Sequence, residues 1–130
     1  MVTITPYAAP GTYDSPAFAQ AIKVTGAQTI LFISGQVDWD DQGNPGHPGD
    51  FRSQAHCVFK ALKAQVEAGG GTMANLVKIN IYLTDLRYRP ELNEVRQEYL
   101  GKKMPAATLM VVRSMYSPDC LIEVEGIAVL

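Results

Sequence analysis

Two glutamates, Glu123 and Glu125, interrupt the apolar run LIEVEGIAVL that closes the sequence. Side chains alternate across a strand, so both project to one side, opposite Ile122, Val124, Gly126 and Ala128. A carboxylate on a half-buried strand is costly unless it is paired, solvated in a cleft or hydrogen-bonded, which makes the pair a candidate site. Two carboxylates sharing one cavity repel, and the repulsion raises one apparent pKa. For Glu125 a structural role is expected, as the partner of Lys78 on another strand.

The other reactive residue types group less well. Ser34 has no convincing histidine partner, since His47 lies in a glycine- and proline-rich loop and His56 on a helical stretch, so a Ser/His hydrolase is not indicated. The two histidines lack metal-ligand spacing with Asp or Cys, and no metal is expected. Cys57 and Cys120 form no CxxC pair and read as reduced thiols, Cys120 as inert packing. Gly69-Gly70-Gly71 follows a helical pattern, as a terminator does, whereas a phosphate cradle precedes one.

The elements that must carry these groups follow from periodicity. Pro6 to Pro16 reads as an irregular arm. Strands are predicted at Ala21–Thr25 and across TILFIS, joined as a hairpin through Gly26-Ala27-Gln28, with a short third strand near Gln36–Trp39. Asp38–Asp50, rich in Gly, Pro, Asn and Asp, is a surface loop. From Phe51, the spacing of Ala55, Val58, Phe59, Leu62 and Val66 predicts an amphipathic helix ending at Gly69. Leu76–Thr84 alternates as a strand with Val77, Ile79, Ile81 and Leu83 on its apolar face. Pro90 opens a second helix bearing Leu92, Val95 and Tyr99, which stops near Gly101. Ala106–Val112 and Leu121–Leu130 supply the last strands, joined as a hairpin by Ser117-Pro118-Asp119. The order predicts a single α+β domain over residues 1–130, a mixed sheet with two helices packed on one face.

Hydrophobic residues make up 47% of the 130 and charged ones 18%, as in a globular domain. The net charge is −2 and the basic residues are scattered, which argues against nucleic-acid or anionic-membrane binding. No apolar stretch approaches the roughly 18 residues a bilayer span needs. The amino terminus lacks the pattern of a signal peptide, and a cytoplasmic protein is expected.

Five segments in order, SPAFAQAIKV, LFISGQ, ELNEV, MPAATL and LIEVEGIAVL, resemble the Rid (YjgF-type) family of reactive imine and enamine deaminases. The resemblance runs from Pro16 to the end. It implies a chorismate-mutase-like α+β fold assembled as a homotrimer around a barrel, with clefts between subunits for small keto- or imino-type metabolites. It implies no metal or organic cofactor. By the same resemblance Glu123 is the catalytic carboxylate that positions or activates water. Ser34, Gly35, Gln36, Asn93 and Thr108 belong to the substrate pocket, with backbone N–H groups near Gly35 lending polarity.

Two pocket positions depart from the family pattern. Ala107 stands where the family's carboxylate-gripping arginine follows Pro-Ala, and Phe18 stands where a tyrosine is usual. Alanine cannot imitate a bidentate guanidinium, and losing such a contact typically costs about 1.5–3 kcal/mol. Arg113 lies six residues from Ala107 on the same strand side, roughly 20 Å away. Arg96, one helical turn beyond Asn93, is the better placed cation. The reading is a C–N hydrolase of deaminase type with altered preference, poor with free 2-imino acids and more tolerant of uncharged or bulkier imines. The alternatives are a non-catalytic metabolite-binding or chaperone-like protein and an endoribonuclease or translation inhibitor; the absence of a basic stripe disfavours the last.

Overall fold

The computed structural model describes residues 1–130. In chain order its elements are β1 (Thr3–Tyr7), β2 (Ala21–Thr25), β3 (Ile30–Gln36), α1 (Phe51–Ala68), β4 (Leu76–Leu83), α2 (Arg89–Leu100), β5 (Ala106–Val111) and β6 (Ile122–Val129), with short 3-10 turns before β4 and α2. The main sheet has the order β3-β6-β4-β5. β6 runs antiparallel to β3 and β4, whereas β4 and β5 are parallel, so the sheet is mixed, as the sequence predicts. A parallel pair needs a crossover, and α2 supplies it.

Both helices start and stop where local chemistry dictates. Asp50 caps α1, accepting from the Ser53 backbone N–H at 3.1 Å and from its hydroxyl at 2.7 Å. Gly70 follows with φ +97°, a conformation that glycine adopts without a Cβ penalty. Along α1, Phe51, Ala55, Val58, Phe59, Leu62 and Val66 are buried against the sheet. Ile79, Ile81 and Leu83 of β4 and Ile122, Val124 and Ala128 of β6 meet them, all fully buried. Gly126 of β6 lies beneath this contact: a Cβ there would stand 3.0 Å from Leu76 Cδ1 and 3.3 Å from the Lys78 carbonyl oxygen.

The opposite sheet face has no helix over it. It carries Lys78, Asn80 and Tyr82 of β4 beside Glu123 and Glu125 of β6, and part of its apolar surface lies open, with Phe32 78% exposed and Ile30 55% exposed.

Several strand expectations are corrected. Thr3–Tyr7, most of it outside the predicted elements, is β1 and pairs antiparallel with β2 to make a separate two-stranded sheet. Pro6 hid it, but an edge strand tolerates a residue without an N–H. β2 therefore forms no hairpin with β3, whose ladder partner is β6. The closing hairpin is absent too, because β4 lies between β5 and β6. No strand covers Gln36–Trp39; Gln36 ends β3 and Trp39 makes one isolated bridge to Pro45. At the start of β4 a register shift between Leu76 and Lys78 puts Leu76, not Val77, in the core. No helix is long and apolar enough to cross a membrane.

Candidate functional site

The predicted site residues fall into two groups on opposite faces of the sheet. On the helix face, Phe18, Asn93 and Ala107 converge on a cavity of about 510 Å³. Ala107 pairs with the buried core residue Ile79 and so points toward α2. Phe18 comes from the segment before β2, where it packs edge-on against Tyr13 at 6.4 Å. Together with Ile81 and Leu109 these residues make an apolar wall.

α2 presents the polar wall. Arg96 is only 4% exposed, although it is a charged residue on a helix with an open flank. Its Nη1 donates to the Ala17 carbonyl at 2.9 Å and its Nη2 to Asn93 Oδ1 at 3.2 Å. Its Nε–H is buried and has no partner. Burial, and secondarily the charge of Arg89 on the same cavity, push the Arg96 pKa below the ordinary arginine value.

On the open face, Glu123 and Glu125 line a second hollow of about 320 Å³ with Tyr82, Val112, Ser114 and Met115. Glu125 is not paired with Lys78 as expected. It accepts from the Tyr82 hydroxyl at 3.0 Å and from Asn80 Nδ2 at 3.2 Å, whereas Lys78 Nζ donates to Thr108 Oγ1 at 3.1 Å. These neutral donors satisfy Glu125, and the hydrogen bond to its carboxylate, ahead of burial, raises the Tyr82 pKa. Glu123 receives no such support. Burial first, and the charge of Glu125 second, hold its pKa above the usual glutamate value. The repulsion expected of two carboxylates in one cavity is thus the lesser of the two causes.

Gly35 lies directly under Glu123, and any Cβ at that position would collide with the carboxylate. Ser34-Gly35-Gln36, the end of β3 where its register against β6 shifts, and the terminal-strand glutamate are thus neighbours in space. Gln36 is buried and donates to the Ser34 carbonyl at 3.0 Å, so its amide braces the end of β3. Thr108 is registered with Asn80 and, by alternation, faces the side opposite Ala107. It lies on the face that carries Lys78, Glu123 and Glu125. Within one chain, the sheet separates Glu123 and Gly35 from Phe18, Asn93 and Ala107.

A third group was not anticipated. Asp38, His47 and Cys57 bring their side-chain donor atoms within 4.8 Å of one another, with His47 Nδ1 at 2.7 Å from Asp38 Oδ2. Spacing in sequence concealed it, because a loop folds back onto α1. The carboxylate, imidazole and thiol are donor types that zinc accepts. The same contacts close the loop: Gly46 has no room for a Cβ beside Asp38, and His47 adopts a left-handed φ of 46°.

The Endoribonuclease L-PSP family model matches residues 12–130. The chain belongs to this family, also called Rid or YjgF. It is 37% identical to a RutC family protein of Pyrococcus horikoshii over 111 residues, covering 85% of each chain. It is 29% identical over 113 residues to a 2-iminobutanoate/2-iminopropanoate deaminase of Dermatophagoides farinae, covering 87% of this chain and 85% of that one. A Rid-family protein of unknown function from Yersinia pestis superposes with a TM-score of 0.87 over 98% of both chains at 24% identity, a likeness of fold.

Among the cavity residues, the place of Arg96 was left open by the sequence, and those of Arg89, Tyr13 and Leu109 were not anticipated. The signal for Arg96 was its spacing of four from Leu92, which sets it on the buried stripe of α2. Arg89 carried no comparable signal, since it is an exposed residue at the start of the helix.

Proposed function

We propose that this protein hydrolyses a small imine or enamine to a carbonyl compound and ammonia, at a site shared between copies in a homotrimer. The observation that carries the reading is Glu123: a raised-pKa carboxylate over Gly35, with no donor of its own chain engaged. A base of this kind accepts a proton from water as the water oxygen attacks the imine carbon. Glu123 returns that proton to nitrogen to complete the carbinolamine, then carries the hydroxyl proton to the same nitrogen, and ammonia leaves as the carbonyl closes. The balance is one imine and one water in, one ketone or aldehyde and one ammonia out.

The exposed Phe32 and Ile30 on the face that bears Glu123 support the assembly, since apolar surface of this kind is what a neighbouring copy would cover. In the trimer, Glu123 and Ser34–Gln36 of one copy would meet Phe18, Asn93 and Ala107 of the next. Ala107 and Phe18 alter the preference by making the strand wall apolar and free of charge. Two unpaired thiols, Cys57 and Cys120, fit the reducing cytoplasm.

Ammonia release from freshly generated 2-iminopropanoate, compared for the protein and Glu123→Gln, tests this. Loss of a general base should slow the reaction about 10²–10⁴-fold, and equal rates remove Glu123 from the mechanism. One observation, Ala107 in place of an arginine, favours a second reading, a metabolite binder without turnover. Stabilisation by a keto acid with no ammonia release would select it.

A further inference from the structure

We infer that Asp38, His47 and Cys57 bind a zinc ion through a carboxylate oxygen, a ring nitrogen and the thiolate sulfur, fastening the Asp38–Asp50 loop to α1. The inference stands apart from the deaminase reading, because none of the three lines the cavity under α2 or the hollow at Glu123.

Asp38 is the residue that calls for a cation. It is only 6% exposed, and buried carboxylates are paired or coordinate metals. No lysine or arginine nitrogen pairs with it. Its one ion-pair contact is His47, whose Nδ1 lies 2.7 Å away and whose ring is positive only when protonated. A divalent ion between them supplies the charge that a neutral imidazole does not.

The fold holds the three donors in place from separate segments. Asp38 and His47 flank the neck of a small looped-back segment. There the Gly46 N–H donates to the Asp38 carbonyl at 2.9 Å, and Trp39 bridges to Pro45 beside it. The His47 carbonyl accepts from the Asp50 N–H at 3.1 Å and from Gln54 Nε2 at 3.1 Å. Gln54 is fully buried in α1, where it also donates to the Asp119 carbonyl at 2.8 Å and accepts from the Leu121 N–H at 2.8 Å. Cys57 lies three residues beyond Gln54, on the same side of the helix. The imidazole is thus anchored through its own backbone to the element that presents the thiol, as ligands of a preorganised metal site are.

The donor set selects the metal. Calcium and magnesium take oxygen ligands, whereas one oxygen, one nitrogen and one sulfur suit a borderline ion such as zinc. The ligands of a tetrahedral zinc, bound at about 2.0–2.3 Å, stand roughly 3.3–3.8 Å apart. The three donor atoms already lie within 4.8 Å of one another, so small side-chain rotations enclose an ion. Binding replaces the Asp38–His47 hydrogen bond and releases the thiol proton to solvent. The His47 side chain is 52% exposed, which leaves the fourth position open to water.

Calorimetric titration of the chelator-stripped protein with zinc chloride should show a single saturable site. Cobalt(II) at that site should give the thiolate-to-cobalt charge-transfer band. Removing a mere orienting partner of a metal ligand typically costs about 10–100-fold in affinity, so Asp38→Asn, His47→Gln and Cys57→Ser should each lose at least that much. Cys120→Ser, which leaves Cys57 as the only cysteine, should keep both the affinity and the band. Should a ligand variant fail to fold, the cobalt spectrum of Cys120→Ser decides alone. No saturable zinc binding, no band in Cys120→Ser, or unchanged affinity in a folded variant of any of the three ligands overturns the inference.

Discussion

Glu123 and Glu125 are two residues apart on one strand, yet their surroundings separate them. Glu125 has the Tyr82 hydroxyl and the Asn80 amide, whereas Glu123 has burial and a negative neighbour. The raised pKa fixes the sign of the pH dependence. A carboxyl whose folded pKa lies above its unfolded value binds protons more tightly in the native state. Its contribution to stability is fully present below the unfolded value of about 4.3 and is lost as pH rises through the folded value. Urea titrations across that window should show Glu123→Gln gaining stability relative to the unaltered protein as pH rises, with the difference shrinking toward acid. Deamination by the unaltered protein should rise over the same window as the base form is populated. Sequence showed the paired carboxylates because alternation alone puts them on one side. It could not show that Asn80 and Tyr82, not Lys78, would meet Glu125, since strand register was not yet known.

The helices and β6 were legible because their apolar periods are long and uninterrupted. Asp50 and Gly69 mark the limits of α1, and Pro90 and Gly101 those of α2. Strand pairing was not legible to the same degree, because a period of two tells which way a side chain points and not which strand lies alongside. β5 and β6 adjoin in sequence but both pair with β4. β1 carries too little apolar pattern around Pro6 to announce itself. The contact of α1 with β6 depends on a missing side chain. Gly126→Val should destabilise the fold by roughly 1–3 kcal/mol through overpacking, because the Lys78 backbone oxygen beside it cannot swing aside as a leucine methyl can. Chemical denaturation with an unchanged m-value would report it, and a shift below 0.5 kcal/mol would mean that α1 lifts freely.

At the scale of the molecule, one sheet face is buried under two helices and the other displays Phe32 and Ile30 to solvent. If that face is the seam of a trimer, Phe32→Asp should yield monomers in sedimentation while the far-ultraviolet dichroism keeps its shape. A trimer that persists would place the seam elsewhere. The separation of the pocket residues by the sheet has a wider implication under the shared-site reading. Each chain would lend its acid to one neighbour and borrow from the other, so damage to a single acid would silence a cavity whose own lining is sound. In a ring built from healthy and damaged chains, output would then track the number of intact junctions instead of the number of intact chains.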